Sequence, residues 1–138
     1  MPAARARILV VDDDADAAAA LARLLTSHGY QAVIHTSTPQ EVSELHRSED
    51  FDLILLDVEM PGMDGFQVME SLKEHERDGY LPVLAITGGP GHRMEALKRG
   101  ARDFLRKPFD AEELLLRVRN MVEVRLLYKE LALDAVRI

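Results

Sequence analysis

Asp12, Asp13, Asp57, Thr87 and Lys107 each stand at or just past the end of a short strand-like segment. The two adjacent aspartates follow Ile8 to Val11, and Asp57 follows Leu53 to Leu56. Thr87 closes the run P-V-L-A-I-T from Pro82, and Lys107 follows Asp103 to Arg106. An unpaired carboxylate inside a buried sheet costs on the order of several kcal/mol, so each acidic group must emerge at its strand's C-terminal end. If the runs are parallel strands, those ends share one edge, where open α/β sheets bind ligands. Carboxylates gathered there repel one another and raise each other's pKa unless a cation sits among them. A hard divalent ion with oxygen ligands, Mg²⁺ above all, answers that need, and the chain has no cysteine for a softer site. Lys107 adds a compact positive charge and Thr87 a hydroxyl donor, both suited to phosphate oxygens. The chemistry this set describes is phosphoryl transfer.

Taken singly, each residue has an ordinary explanation. Asp12 or Asp13 can cap a helix, Thr87 can close a strand-end turn, and Lys107 can snorkel at the surface. A helix start, however, uses one capping carboxylate, and Asp12, Asp13 and Asp14 are three in a row. The surplus, together with the coincidence of the other strand ends, favours a shared site.

The elements that must position these groups alternate along the chain. Ile8 to Val11 reads as a strand, and Ala15 to His28 as a helix with Leu21, Leu24 and Leu25 on one face, closed by Gly29. Tyr30 to His35 alternates like a strand near a sheet edge. Thr38, Pro39 and Glu41 predict a capping box opening a helix to about Arg47, with 48–50 as the loop beyond it. Leu53 to Leu56 is long enough for a strand buried on both faces, with Pro61, Gly62 and Gly65 turning the chain after it. Phe66 to His75 has helical spacing and ends before the Asp78-Gly79 turn. After Thr87, the cluster Gly88, Gly89, Pro90, Gly91 lacks a G-K-[ST] continuation and reads as a connector rather than a phosphate loop. Met94 to Arg99 is a short helix ended by Gly100, and Asp103 to Arg106 a fifth strand. Asp110 with Glu113 caps a last, long helix. Five strand-helix repeats with short connections predict an α/β fold of three α/β/α layers around a parallel sheet.

Composition narrows the function classes. A chain of 138 residues has room for one domain with a sizeable core. Its formal charge of -7 opposes nonspecific attraction to nucleic acid or anionic membrane, so neither is an expected direct partner. The stretch M-P-A-A-R-A-R leads into an apolar run too short for a signal-peptide core or membrane span, so a cytoplasmic location is expected.

The motifs I-L-V-V-D-D, L-L-D-V-E-M-P-G-M-D-G, A-I-T-G and K-P-F, correctly ordered and spaced, resemble those of the receiver domains of two-component response regulators. The resemblance covers Ile8 to about Val122. It implies a five-stranded parallel sheet in order 2-1-3-4-5, and it implies that Asp57 accepts a phosphoryl group from the phosphohistidine of a sensor kinase or phosphotransfer protein. It further implies that Asp13, Asp57 and the backbone carbonyl of Glu59 hold Mg²⁺, with Asp12 reaching it through water. Thr87 and Lys107 would then bind the phosphoryl oxygens. Phe104 takes the position of a switching aromatic, without the phenolic hydroxyl common there in the family, and a cis Lys107-Pro108 bond is implied as well. Glu59 and Gly89 stand beside the site at positions expected to govern access of water to the phosphoryl group.

Residues 1–122 are thus expected to form the receiver and 123–138 a helical extension. Leu115, Val118 and Val122 are expected to face the sheet, while Val124, Leu127 and Leu131 continue an apolar stripe at three-four spacing. That stripe predicts a homodimer through the last helix, or a signalling helix leading to an output domain. Arg117, Arg119 and Arg125 read as a solvated or ion-paired face. The expected activity is a chain that catalyses only its own phosphorylation and dephosphorylation and turns over no external metabolite. A phosphorylation-independent pseudo-receiver acting as a dimerisation or docking module is the alternative. A haloacid-dehalogenase-like phosphohydrolase fits poorly, because Glu59 stands where its D-x-D motif needs a second aspartate.

Overall fold

A computed structural model describes residues 2–60, 64–74, 80–89 and 91–137, with side chains from 3 to 131 within those ranges. The expected turn at Pro61 and Gly62, the helix end at His75, the Asp78-Gly79 turn and Pro90 lie outside the described residues. The strands are β1 (Arg7–Val11), β2 (Ala32–Thr36), β3 (Leu53–Asp57), β4 (Val83–Thr87) and β5 (Asp103–Arg106). Between and after them run α1 (Ala15–Ser27), α2 (Val42–Glu49), α3 (Gly65–Lys73), α4 (His92–Lys98) and α5 (Ala111–Arg137). All pairings are parallel, and the sheet order is β2-β1-β3-β4-β5.

The unbroken apolar runs follow from burial on both faces. On one face Ile8, Val10, Leu53, Leu55 and Leu105 pack against α1 and α5. On the other, Leu9, Ile54, Leu56, Val83 and Ala85 pack against α2, α3 and α4. β2 lies at the edge, with Ile34 39% exposed, which is why it alternates while the central strands do not.

The start of α2 differs from the sequence expectation, and the cap of α3 adds to it. Thr38 makes no side-chain cap; its neighbour Thr36 accepts the Thr38 N–H at 3.0 Å and donates to the Glu41 carboxylate, so a short 3-10 turn Pro39–Glu41 precedes α2. α1 leans on the core through Ala18, Ala22 and Leu25, leaving Leu21 and Leu24 only half-buried. At α3 a reciprocal capping box joins Asp64 and Gln67, a signal present in the sequence and overlooked. Asp110 caps α5 as expected, accepting the Glu113 N–H at 2.7 Å.

The largest departure concerns α5. Leu114, Val118, Met121 and Val122 bury against the sheet, and burial continues past them. Arg125, read as part of a solvated or ion-paired face, is 2% exposed: its guanidinium lies 5.2 Å from the Tyr80 ring centre and 3.9 Å from Asp50. The Tyr128 ring sits 4.8 Å from that of Tyr80, and the Lys129 ammonium is 2.5 Å from Asp52. The long aliphatic stem and delocalised charge of arginine allow this burial against aromatic faces. Arg117 follows the expectation, forming ion pairs with Asp103 at 2.9 Å and Glu113 at 3.3 Å, while Arg119 is exposed. Val124, Leu127 and Leu131 point away from the sheet and are 52%, 59% and 69% exposed.

Candidate functional site

Parallel pairing in register delivers the strand-end groups together. Asp57 pairs with Ile86, the residue before Thr87, and Thr87 pairs with Arg106, the residue before Lys107. Backbone hydrogen bonds from Val58 N–H to Ile86 and from Lys107 N–H to Thr87 extend this register past the strand ends. The Lys107-Pro108 peptide bond is cis, as the resemblance implies.

Asp12, Asp13 and Asp57 each offer a carboxylate oxygen within 4.8 Å of the others. Asp57 is buried, Asp12 half-buried and Asp13 exposed, so the cluster has a floor and an open mouth. Asp14 is the residue that caps α1, accepting the N–H groups of Asp16 and Ala17, which leaves Asp12 and Asp13 for other work. Burial pushes the Asp12 carboxyl up to about 6, against the Asp14 N–H that favours its charged form. Burial also raises Asp57, opposed by Lys107 and by the Glu59 N–H. Lys107 Nζ is 3.4 Å from Asp57 Oδ2, and the Glu59 N–H donates to Oδ1 at 3.1 Å. One lysine does not offset three gathered carboxylates. Their all-oxygen donor set fits a hard divalent cation such as Mg²⁺.

Thr87 is fully buried, and its hydroxyl donates to the Glu59 carboxylate rather than facing an open space. Gly89 N–H donates to the same carboxylate, and His92 Nδ1 lies 3.1 Å from the Thr87 hydroxyl. These hydrogen bonds, Thr87's first, hold Glu59 below the usual carboxylate range. His92 escaped sequence reasoning, because a histidine opening a short helix carries no signal of its own. Phe104 is half-buried, packed on the α2-α3-α4 side of the core, and lines an open cavity of about 500 Å³ with Gly89, Leu97 and Arg106. A separate recess of about 360 Å³, lined by Leu21, Leu24 and Phe109, opens beside Asp57 and Lys107.

This geometry has known counterparts. Residues 8–119 match the family model described as the response regulator receiver domain. The chain is 41% identical to the response regulator PleD of Caulobacter vibrioides over 128 residues, which are 91% of this chain and 28% of PleD. It is 39% identical to the response regulator MprA of Mycolicibacterium vanbaalenii over 118 residues, 84% of this chain and 50% of that one. The chain therefore spans half or less of the length of these curated relatives. Among solved structures, a response regulator receiver domain from Clostridium thermocellum superposes with a TM-score of 0.80 at 26% identity, covering 89% of this chain and 98% of that one. The signal receiver domain of a LuxO repressor protein from Vibrio parahaemolyticus shares the fold with a TM-score of 0.80 at 24% identity, over 92% of this chain and 97% of that one. By fold, motif and match, the chain belongs to the response regulator receiver domain family of two-component systems.

Proposed function

We propose that this chain is a phosphorylation-operated switch in which Asp57 accepts a phosphoryl group from the phosphohistidine of a sensor kinase or phosphotransfer protein. The observation that carries the reading is the meeting of Asp12, Asp13 and Asp57 within 4.8 Å, with Lys107 against Asp57. An Asp57 carboxylate oxygen attacks phosphorus, forming the P–O bond as the P–N bond to the donor imidazole breaks, and the electron pair leaves on the imidazole nitrogen. Asp57 reacts ionised, so no general base is needed. Asp13, Asp57 and the Glu59 backbone carbonyl would hold Mg²⁺, with Asp12 reaching it through water, and the ion when bound would neutralise phosphoryl charge. Lys107 and Thr87 then bind the phosphoryl oxygens, and Phe104 turns as Thr87 moves.

In this reading residues 1–122 are the receiver and 123–138 the extension, whose exposed Val124, Leu127 and Leu131 form a homodimer seam or lead to an output domain. The switch works in the cytoplasm, and among the described residues no helix is long and apolar enough to cross a membrane. Labelling by a small acyl phosphate in Mg²⁺ tests the assignment. Wild type takes up one phosphoryl group and Asp57→Asn none; equal labelling of both would move the acceptor elsewhere. An oligomeric state unchanged by full labelling would favour the pseudo-receiver.

A further inference from the structure

Thr87 has one hydroxyl proton, and it goes to Glu59 Oε1. Gly89 N–H, 3.0 Å from the Thr87 oxygen, donates to Glu59 Oε1 as well. Since the carboxylate only accepts and Thr87's proton is committed to it, His92 Nδ1 at 3.1 Å must donate to the Thr87 oxygen. The arrangement is packed as well as bonded. A Cβ on Gly89 would come within 2.9 Å of the His92 ring and 3.0 Å of Glu59 Oε1. Phe66, edge-on to the ring at 5.8 Å, fixes it from the other side. Glu59 Oε1 is 3.8 Å from His92 Nδ1, one small rotation from a direct hydrogen bond.

Resting on the reading of Thr87 as a donor to phosphoryl oxygens, we propose that Glu59 is a positioning residue that keeps Thr87 off the site by accepting the proton a phosphoryl oxygen would need. His92 is its exchange partner. When Thr87 turns to a phosphoryl group, the His92 N–H loses its acceptor and the Glu59 carboxylate loses its hydroxyl donor while keeping the Gly89 N–H, and the two meet. Two hydrogen bonds, Thr87 to Glu59 and His92 to Thr87, are replaced by two others, Thr87 to phosphoryl and His92 to Glu59. The exchange leaves neither the His92 N–H nor the Glu59 carboxylate without a protein partner, so the resting and switched arrangements stay close in free energy. Glu59 is about half-exposed, which leaves its carboxylate room to move.

The test is a titration with beryllofluoride in Mg²⁺, a phosphoryl stand-in, followed by calorimetry and by the amide signals of Thr87 and Gly89. Glu59→Ala should tighten binding about 10-fold and Glu59→Gln, which keeps a weaker acceptor, about 3-fold. His92→Ala, which removes the exchange partner, should weaken binding about 3-fold, but only while Glu59 is present. In a Thr87→Val background Glu59→Ala should change affinity less than about 2-fold. Equal tightening with and without the Thr87 hydroxyl would overturn the proposal, because it would show plain charge repulsion. No tightening by Glu59→Ala would overturn it too, while leaving the phosphoacceptor reading intact. Failure of the wild type itself to bind beryllofluoride would remove both.

Discussion

Lys107 Nζ stands 3.4 Å from Oδ2 of Asp57, a residue fifty positions earlier, and the pair joins the ends of two strands separated by β4. Lys107 is the main influence holding down a carboxyl that burial pushes up. Lys107→Ala should slow phosphoryl labelling of Asp57 about 10-fold, the value of one charge-assisted hydrogen bond at a site open to solvent on the lysine side. Rates measured with a small phosphodonor at fixed Mg²⁺ check this, and Lys107→Arg should not restore them, since a planar fork replaces a point charge.

The acidic cluster should make stability depend on pH. The folded Asp12 carboxyl titrates at about 6 against an ordinary 3.8, so the folded chain holds this proton more tightly than the unfolded one. That contribution is fully present below about 3.8 and lost as pH rises through about 6. With metal chelated, the unfolding temperature should fall across this window, and Asp12→Asn should flatten the fall. Mg²⁺ added near neutral pH should raise the unfolding temperature, by less as protons compete below about pH 6. Differential scanning fluorimetry across pH, with and without the ion, reads both effects.

Gly65 should tolerate no side chain. A Cβ there would lie 2.6 Å from the Val58 Cα and 2.9 Å from the Asp57 carbonyl oxygen, both backbone atoms that cannot step aside. Gly65→Ala should cost about 2 kcal/mol, as overpacking does, and reduce labelling as well, because the strained backbone carries the acceptor. Urea unfolding and a labelling assay on the same preparation check the pairing of the two losses.

The two faces of α5 should respond oppositely to substitution. Arg125→Ala removes a buried guanidinium from beside Tyr80, and should cost about 3 kcal/mol and raise hydrogen exchange over residues 123–131. Leu127→Asp or Leu131→Asp, at exposed positions, should change monomer stability by less than about 0.5 kcal/mol. If the exposed stripe is a dimer seam, those same two variants abolish the dimer in sedimentation velocity.

The three central strands were legible because double burial leaves an uninterrupted apolar run, and the polar residue closing each strand-like segment marks the sheet edge. Asp57, Thr87 and Lys107 were therefore readable one by one, while the strand order that makes them neighbours came from the resemblance to receivers. What the sequence did not disclose depends on where a side chain turns after its backbone is placed. Glu59 looked like one more acid beside the site, yet its carboxylate crosses to the Thr87 hydroxyl and the Gly89 N–H, 28 and 30 positions along the chain. Arg125 sat among arginines of an expected solvated or ion-paired face, and the nearness of the Tyr80 ring and of Asp50 explains its burial. Thr36 took the bonds expected of Thr38, because a hydroxyl at the strand end reaches Glu41 first.

The most direct measurement is peptide mapping of the chain after exposure to an acyl phosphate, with the labile adduct trapped by reduction, in Mg²⁺ and in chelator. The account predicts one modified residue, Asp57, and modification only when the divalent ion is present. A label on another residue, or one that forms equally well in chelator, would contradict it.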